Sequence, residues 1–110
     1  MGIPDGLAYV LAAYPDEAQA IMNSKELRRK IEDAYAASKL ETPQPFENVR
    51  EWLRKSRELE DRIANFKIET HEDRGRLVML RVERDSVAKM AGEMMQGLGV
   101  RIYKRALDMK

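Results

Sequence analysis

The 110-residue chain has no cysteine, which excludes disulfides, cysteine-bound zinc and thiol nucleophiles and fits a reducing compartment. A single histidine, His71, cannot build a histidine metal cluster. Proline is missing after Pro45: Pro4, Pro15, Pro43 and Pro45 punctuate the N-terminal part and leave the rest free for long helices. Long apolar runs are missing too. The longest, Leu7 to Tyr14, is too short to span a bilayer and has no basic segment before it, so neither a membrane helix nor a signal peptide is expected. Nothing else looks like a targeting segment, and a cytoplasmic location is expected. Neither a Gly-x-x-x-x-Gly-Lys loop nor a Gly-x-Gly-x-x-Gly turn occurs, so no nucleotide site is announced and no cofactor is expected. His71 lies among Glu69, Glu72 and Asp73 and reads as a solvated turn residue rather than a general base. The acids alternate with Lys and Arg and read as surface pairs, not as a metal cage. A non-catalytic protein without a metal is the expectation.

What is present is charge, at 35% of residues, alongside 44% hydrophobic residues. That proportion suits long solvated helices or an assembly surface on one domain or two small helical units. The net charge is +1, unevenly spread: residues 1–44 carry −2, 45–72 carry −1 and 73–110 carry +4. No global field exists to hold nucleic acid, so any such contact needs a local cluster. Two clusters qualify: Lys25, Arg28, Arg29 and Lys30, and the tail Arg101, Lys104, Arg105 and Lys110.

The pattern predicts a mainly α fold. Asp5 is placed to cap a short helix over 6–13, and Pro15 opens a second over 16–22. Asn23 is placed to cap a third, running to about Ser38, with Glu26 reaching back. Glu41-Thr42-Pro43-Gln44-Pro45 reads as a stiff linker between a small helical unit over 1–40 and a helical region over 46–110. In the second region Val49, Ser56 and Ile63 recur every seven residues, as do Trp52, Leu59 and Phe66, a seam that wants another helix against it. Glu51–Lys55 and Glu58–Arg62 are spaced to pair on the outer face. Beyond Phe66 two readings compete. One is a long antiparallel helical hairpin turning at Gly75, its second helix starting near Met79 or Asp85 and stopping at Gly97 and Gly99. The other is a small β-hairpin over 66–82. Helix–turn–helix is preferred, because Val87–Leu98 answers the seam with a matching stripe. Val100–Tyr103 is either a short strand or the start of a last helix ending at Met109.

Three segments carry a resemblance. Leu59-Glu60-Asp61-Arg62-Ile63-Ala64 leads into Lys67-Ile68-Glu69; Arg74-Gly75-Arg76-Leu77-Val78 follows; Lys89-Met90-Ala91-Gly92-Glu93-Met94 then precedes Gly97-Leu98. In this order and spacing, Leu59 to Met109 resembles the small subunit of phage terminase, in the lambda-like group. The resemblance implies a viral, bacteriophage DNA-packaging subunit in the host cell cytoplasm. Such a subunit is a homo-oligomer that engages double-stranded DNA and hands it to a large subunit owning the ATPase and nuclease. Members usually open with a helix-turn-helix, and residues 16–38 here form a degenerate version, two short helices joined at Asn23-Ser24. On this reading Lys25, Arg28, Arg29, Lys30, Arg101, Lys104 and Arg105 contact DNA, and Val49, Trp52, Leu59, Ile63 and Phe66 form the oligomer seam. The alternatives are a virion structural or protein–protein adaptor without DNA binding, and a winged-helix regulator with 66–82 as its wing.

Overall fold

The computed structural model describes residues 2–109, so Lys110 of the basic tail lies outside them. The chain is mainly helical. Helix α1 spans Asp5–Ala13, a 3₁₀ turn Pro15–Glu17 leads into α2 over Ala18–Asn23, α3 spans Lys25–Glu41, α4 Pro43–Ala64 and α5 His71–Asp108. No strand occurs among the described residues.

Local chemistry explains the boundaries. Tyr14 ends α1, and Pro15 starts the next turn where its missing N–H costs nothing. Pro4, not Asp5, precedes α1; Asp5 is its first residue. The α3 cap is Ser24 rather than Asn23, its hydroxyl accepting from the Leu27 N–H at 3.2 Å. Glu26 does not close a capping box there but pairs with Lys30 one turn on, at 3.5 Å. The expected linker is a single residue, Thr42. Pro43 and Pro45 fall in the first turn of α4, where no intrahelical donor is lost, so they start a helix instead of separating two units.

The largest departure is α5. It begins at His71, runs 38 residues and passes straight through Gly75, Gly92, Gly97 and Gly99, none at positive φ. Its start is fixed by a capping box: the Asp73 N–H donates to the Thr70 hydroxyl at 3.3 Å, and the Thr70 N–H donates to the Asp73 carboxylate at 2.9 Å. The cap at Thr70 lies nine residues before Met79, so the helix start expected near Met79 or Asp85 moves upstream. Residues 71–82 are helical, so neither the β-hairpin over 66–82 nor the wing of a winged helix forms, and Val100–Tyr103 belongs to α5.

The molecule measures 62 × 29 × 22 Å. One core, containing Leu7, Val10, Ile21, Ile31, Ala34, Phe46, Val49, Leu98, Ile102 and Ala106, gathers side chains from all five helices. Residues 1–40 and 46–110 therefore contribute to one core. Helix α5 doubles back along α4: the Arg84 guanidinium meets Glu60 at 3.3 Å, and Arg101 donates to the Thr42 hydroxyl at 3.1 Å. The outer parts of α4 and α5 leave the base as an arm, where Leu59, Leu77, Val87 and Ala91 are buried outside the main cluster.

Two glycines let helices cross closely in the base. A Cβ on Gly99 would lie 2.1 Å from the Tyr9 carbonyl oxygen, so only hydrogen fits where α5 meets α1. A Cβ on Gly6 would lie 2.7 Å from Tyr35 Cβ. That approach lets Glu32 of α3 accept from the Leu7 N–H at 2.8 Å, satisfying one orphan donor in the first turn of α1.

Candidate functional site

The α4 seam is the first candidate from the sequence, and its own chain covers much of it. Val49 is fully buried and Leu59 is 5% exposed, while Trp52 and Ile63 are half-buried; α4 ends at Ala64, so the register does not carry through Phe66, which is half-buried in the connection beyond it. The reason is the return of α5, which supplies the helix the seam wants. Val49 and Leu59 are therefore not open to a second copy. On the outer face, the expected Glu51–Lys55 pair is replaced: Glu51 binds Arg54, and the Lys55 ammonium sits over the Trp52 ring, 4.9 Å from its centroid. No Glu58–Arg62 ion pair forms within 4.0 Å among the described residues.

The two basic clusters are not brought together. Lys25 to Lys30 occupy the first turns of α3, whereas Arg101 and Arg105 reach Thr42 and Glu41 at its far end. At 1.5 Å per residue those ends are about 24 Å apart. Several of the cations are also engaged. Arg105 grips Glu41 with two hydrogen bonds, 2.7 and 2.8 Å, which hold the Glu41 carboxyl below its usual range. Lys30 pairs with Glu26, and Arg28 is half-buried, its Nε enclosed without a protein partner. Lys25, Arg29 and Lys104 remain exposed.

A third surface escaped the sequence reading. At the base of the arm, α1, α3, α4 and α5 surround a cleft of about 480 Å³, within the size range of ligand pockets. Three aromatic rings pack together beside it. Tyr9 stacks on Tyr35 with centroids 5.8 Å apart, and Phe46 meets both edge-on at 5.5 Å. Tyr9 and Phe46 are buried, so they build the wall rather than offer faces. Burial pushes the Tyr9 phenol up to about 12, with Tyr35 and Asp5 acting in the same direction and Arg50 against it. The rim is cationic. Arg50, Arg54 and Arg57 line it from α4, and Lys39 lies 5.7 Å from the Tyr35 centroid. Asp5 and Glu47 are the acids in the lining. The missed signal was the i, i+4, i+7 spacing of the three arginines, which puts them on one face.

A fourth surface is apolar. Val78, Met79, Val82 and Met90 of α5 are 56%, 68%, 58% and 44% exposed, within roughly a third of the helix circumference. They lie on the side turned away from the buried Leu77, Val87 and Ala91. Among the described residues there is no group of three or more metal-ligating side chains, and no helix is long and apolar enough to cross a membrane. Compared with protein-family models, curated proteins and solved structures, the chain finds no significant match.

Proposed function

We propose that this chain is a non-catalytic subunit of a DNA-packaging assembly, with the role of a phage small terminase. Its copies associate through the antiparallel α4–α5 hairpin, engage double-stranded DNA, and present it to a separate motor and nuclease subunit. The observation that carries this reading is the exposed stripe Val78, Met79, Val82 and Met90 on a projecting arm. Large apolar side chains gathered on one face of a projecting element favour burial against a second protein surface. The stripe takes over the role expected of the α4 seam.

DNA contact rests on Lys25, Arg29 and Lys104, which are exposed and have no carboxylate within 4.0 Å among the described residues. So few phosphate contacts give weak, salt-sensitive affinity in one subunit; repetition around an oligomer multiplies it. A protein–protein adaptor without DNA binding is the second reading, favoured by the engagement of Lys30 and Arg105 with acids of the same chain.

Native mass spectrometry with and without duplex DNA separates the two. The packaging reading expects an oligomer that takes up duplex. It also expects Lys25→Ala/Arg29→Ala to flatten the slope of log affinity against log salt by about 2 per subunit engaged. An oligomer with no salt-dependent DNA uptake leaves the adaptor reading, and a monomer at high concentration removes both.

A further inference from the structure

We propose that the cleft at the base of the arm receives the tip of another copy's arm. The proposal rests on the self-association argued above and assigns its direction. The two surfaces complement each other. The cleft has apolar walls, including Ala8, Leu53 and Met95, beneath a cationic rim. Arg54 is occupied by Glu51, but Lys39, Arg50 and Arg57 have no carboxylate within 4.0 Å among the described residues. The tip offers an apolar side chain between carboxylates: Ile68 stands 49% exposed in the short non-helical connection between α4 and α5, beside exposed Glu69 and Glu72. Lys67 and Arg74 flank these carboxylates. The Asp73 carboxylate is already taken, by the Glu69 and Thr70 N–H groups.

A chain's own tip cannot reach its cleft. His71 at the tip and Met95 in the cleft wall lie on one continuous helix, about 36 Å apart at 1.5 Å per residue. A tip that enters the cleft must come from another molecule. In the docked arrangement Ile68 enters the apolar walls while Glu69 and Glu72 face Arg50, Arg57 and Lys39. Phosphate is the weaker candidate, because Asp5 and Glu47 share the lining and the aromatic wall offers a socket for an apolar side chain. Tip and cleft are different patches, so the contact is heterologous: repeated, it closes a ring or grows a filament.

Charge exchange tests this on the full chain. Arg50→Glu/Arg57→Glu reverses the rim and Glu69→Lys/Glu72→Lys reverses the tip; all four residues are exposed. Sedimentation velocity should show each variant self-associating about 10- to 100-fold more weakly than the wild type, from like charges brought together. Mixing the two variants should restore assembly, because each reversed tip then meets a reversed rim and each native tip a native rim. Restoration also shows that both variants fold. Val82→Glu, on the lateral stripe, separates the two claims. If it dissolves the oligomer while both charge variants assemble normally, the assembly reading stands and the tip-to-cleft contact is wrong. Weakened variants that fail to rescue each other also overturn the contact. So does a rim variant that keeps its oligomer but loses duplex binding, which would make the cleft a phosphate site.

Discussion

Replacing Gly99 by alanine is the sharpest probe of how the base is packed. In an ordinary helix this change is favourable by about 1 kcal/mol, since alanine has less backbone entropy to lose. At Gly99 the new methyl would sit 2.1 Å from the Tyr9 carbonyl oxygen, 2.8 Å from its carbonyl carbon and 2.9 Å from Ala13 Cβ. Even a close C···O contact needs about 3.3 Å, so α1 and α5 must part by about 1 Å. The obstacle is helix backbone, which has no rotamer to swing away. Parting the helices loosens Val10 against Leu98 and Ile102, all in the same core. Overpacking of this kind costs about 1–3 kcal/mol and occasionally more. A backbone clash this severe belongs at the upper end, so a net loss of about 2–3 kcal/mol is expected after the helix-propensity gain.

Gly97 supplies the internal control. It lies two residues earlier in the same helix, and a Cβ there meets nothing within 4 Å. Gly97→Ala should therefore stabilise by about 0.5–1 kcal/mol. Urea unfolding followed by circular dichroism at 222 nm measures both. Opposite signs are the signature of a close crossing at Gly99. A Gly99→Ala protein as stable as the wild type would mean that α1 does not touch α5 there, and the account of the base would fall with it.

Two ionisable groups give further predictions. Tyr9 is held neutral in the fold, its ionisation raised to about 12 against 10 for a free phenol. Its contribution to stability is complete below the unfolded value and is lost as pH rises through the folded one; ultraviolet titration should show a phenol ionising near 12, accompanied by loss of helix, and an ordinary titration near 10 with the fold intact would contradict the buried ring. Asp73 is shifted the other way, downward, chiefly by hydrogen bonds from the Glu69 and Thr70 N–H groups. The α5 cap is thus fully formed above the ordinary aspartate range and is lost as pH falls through the depressed folded value; the Glu69 and Thr70 amide resonances should follow that acid transition, and should not in Asp73→Asn.

The helical class, the breaks at Pro15 and Asn23-Ser24, and the seam of α4 were legible because each follows from local chemistry or a sustained period. The cover of the seam was not, since periodicity marks a face without naming what packs on it. Glycine misled most. At Gly75, Gly97 and Gly99 the same residue reads as a helix stop or as a close crossing, and only the position of α1 decides for Gly99. The period of α5 also changes along its length. Its arm half buries one side, at Leu77, Val87 and Ala91, whereas its base half is enclosed by α1, α3 and α4. No single stripe could reveal one helix of 38 residues. The arginine row on α4 was hidden by acids spaced to suggest other pairs, and the cleft it borders exists only once four helices meet.

These packing differences bear on how assembly and stability are linked. The base has a contiguous core drawn from five helices, whereas among the described residues the arm's buried side chains are Leu59, Leu77, Val87 and Ala91. A thin seam with Ile63, Phe66 and Leu80 half-open costs less to separate than the base, so the arm should open locally before the whole chain unfolds. Anything that binds the closed arm and not the opened one shifts that balance by mass action. If other copies bind at the stripe and the tip, amide exchange in the arm must slow as protein concentration rises, while exchange in the base changes little below the global unfolding limit. A chain whose arm is equally labile at all concentrations would have its apolar stripe for some purpose other than self-association.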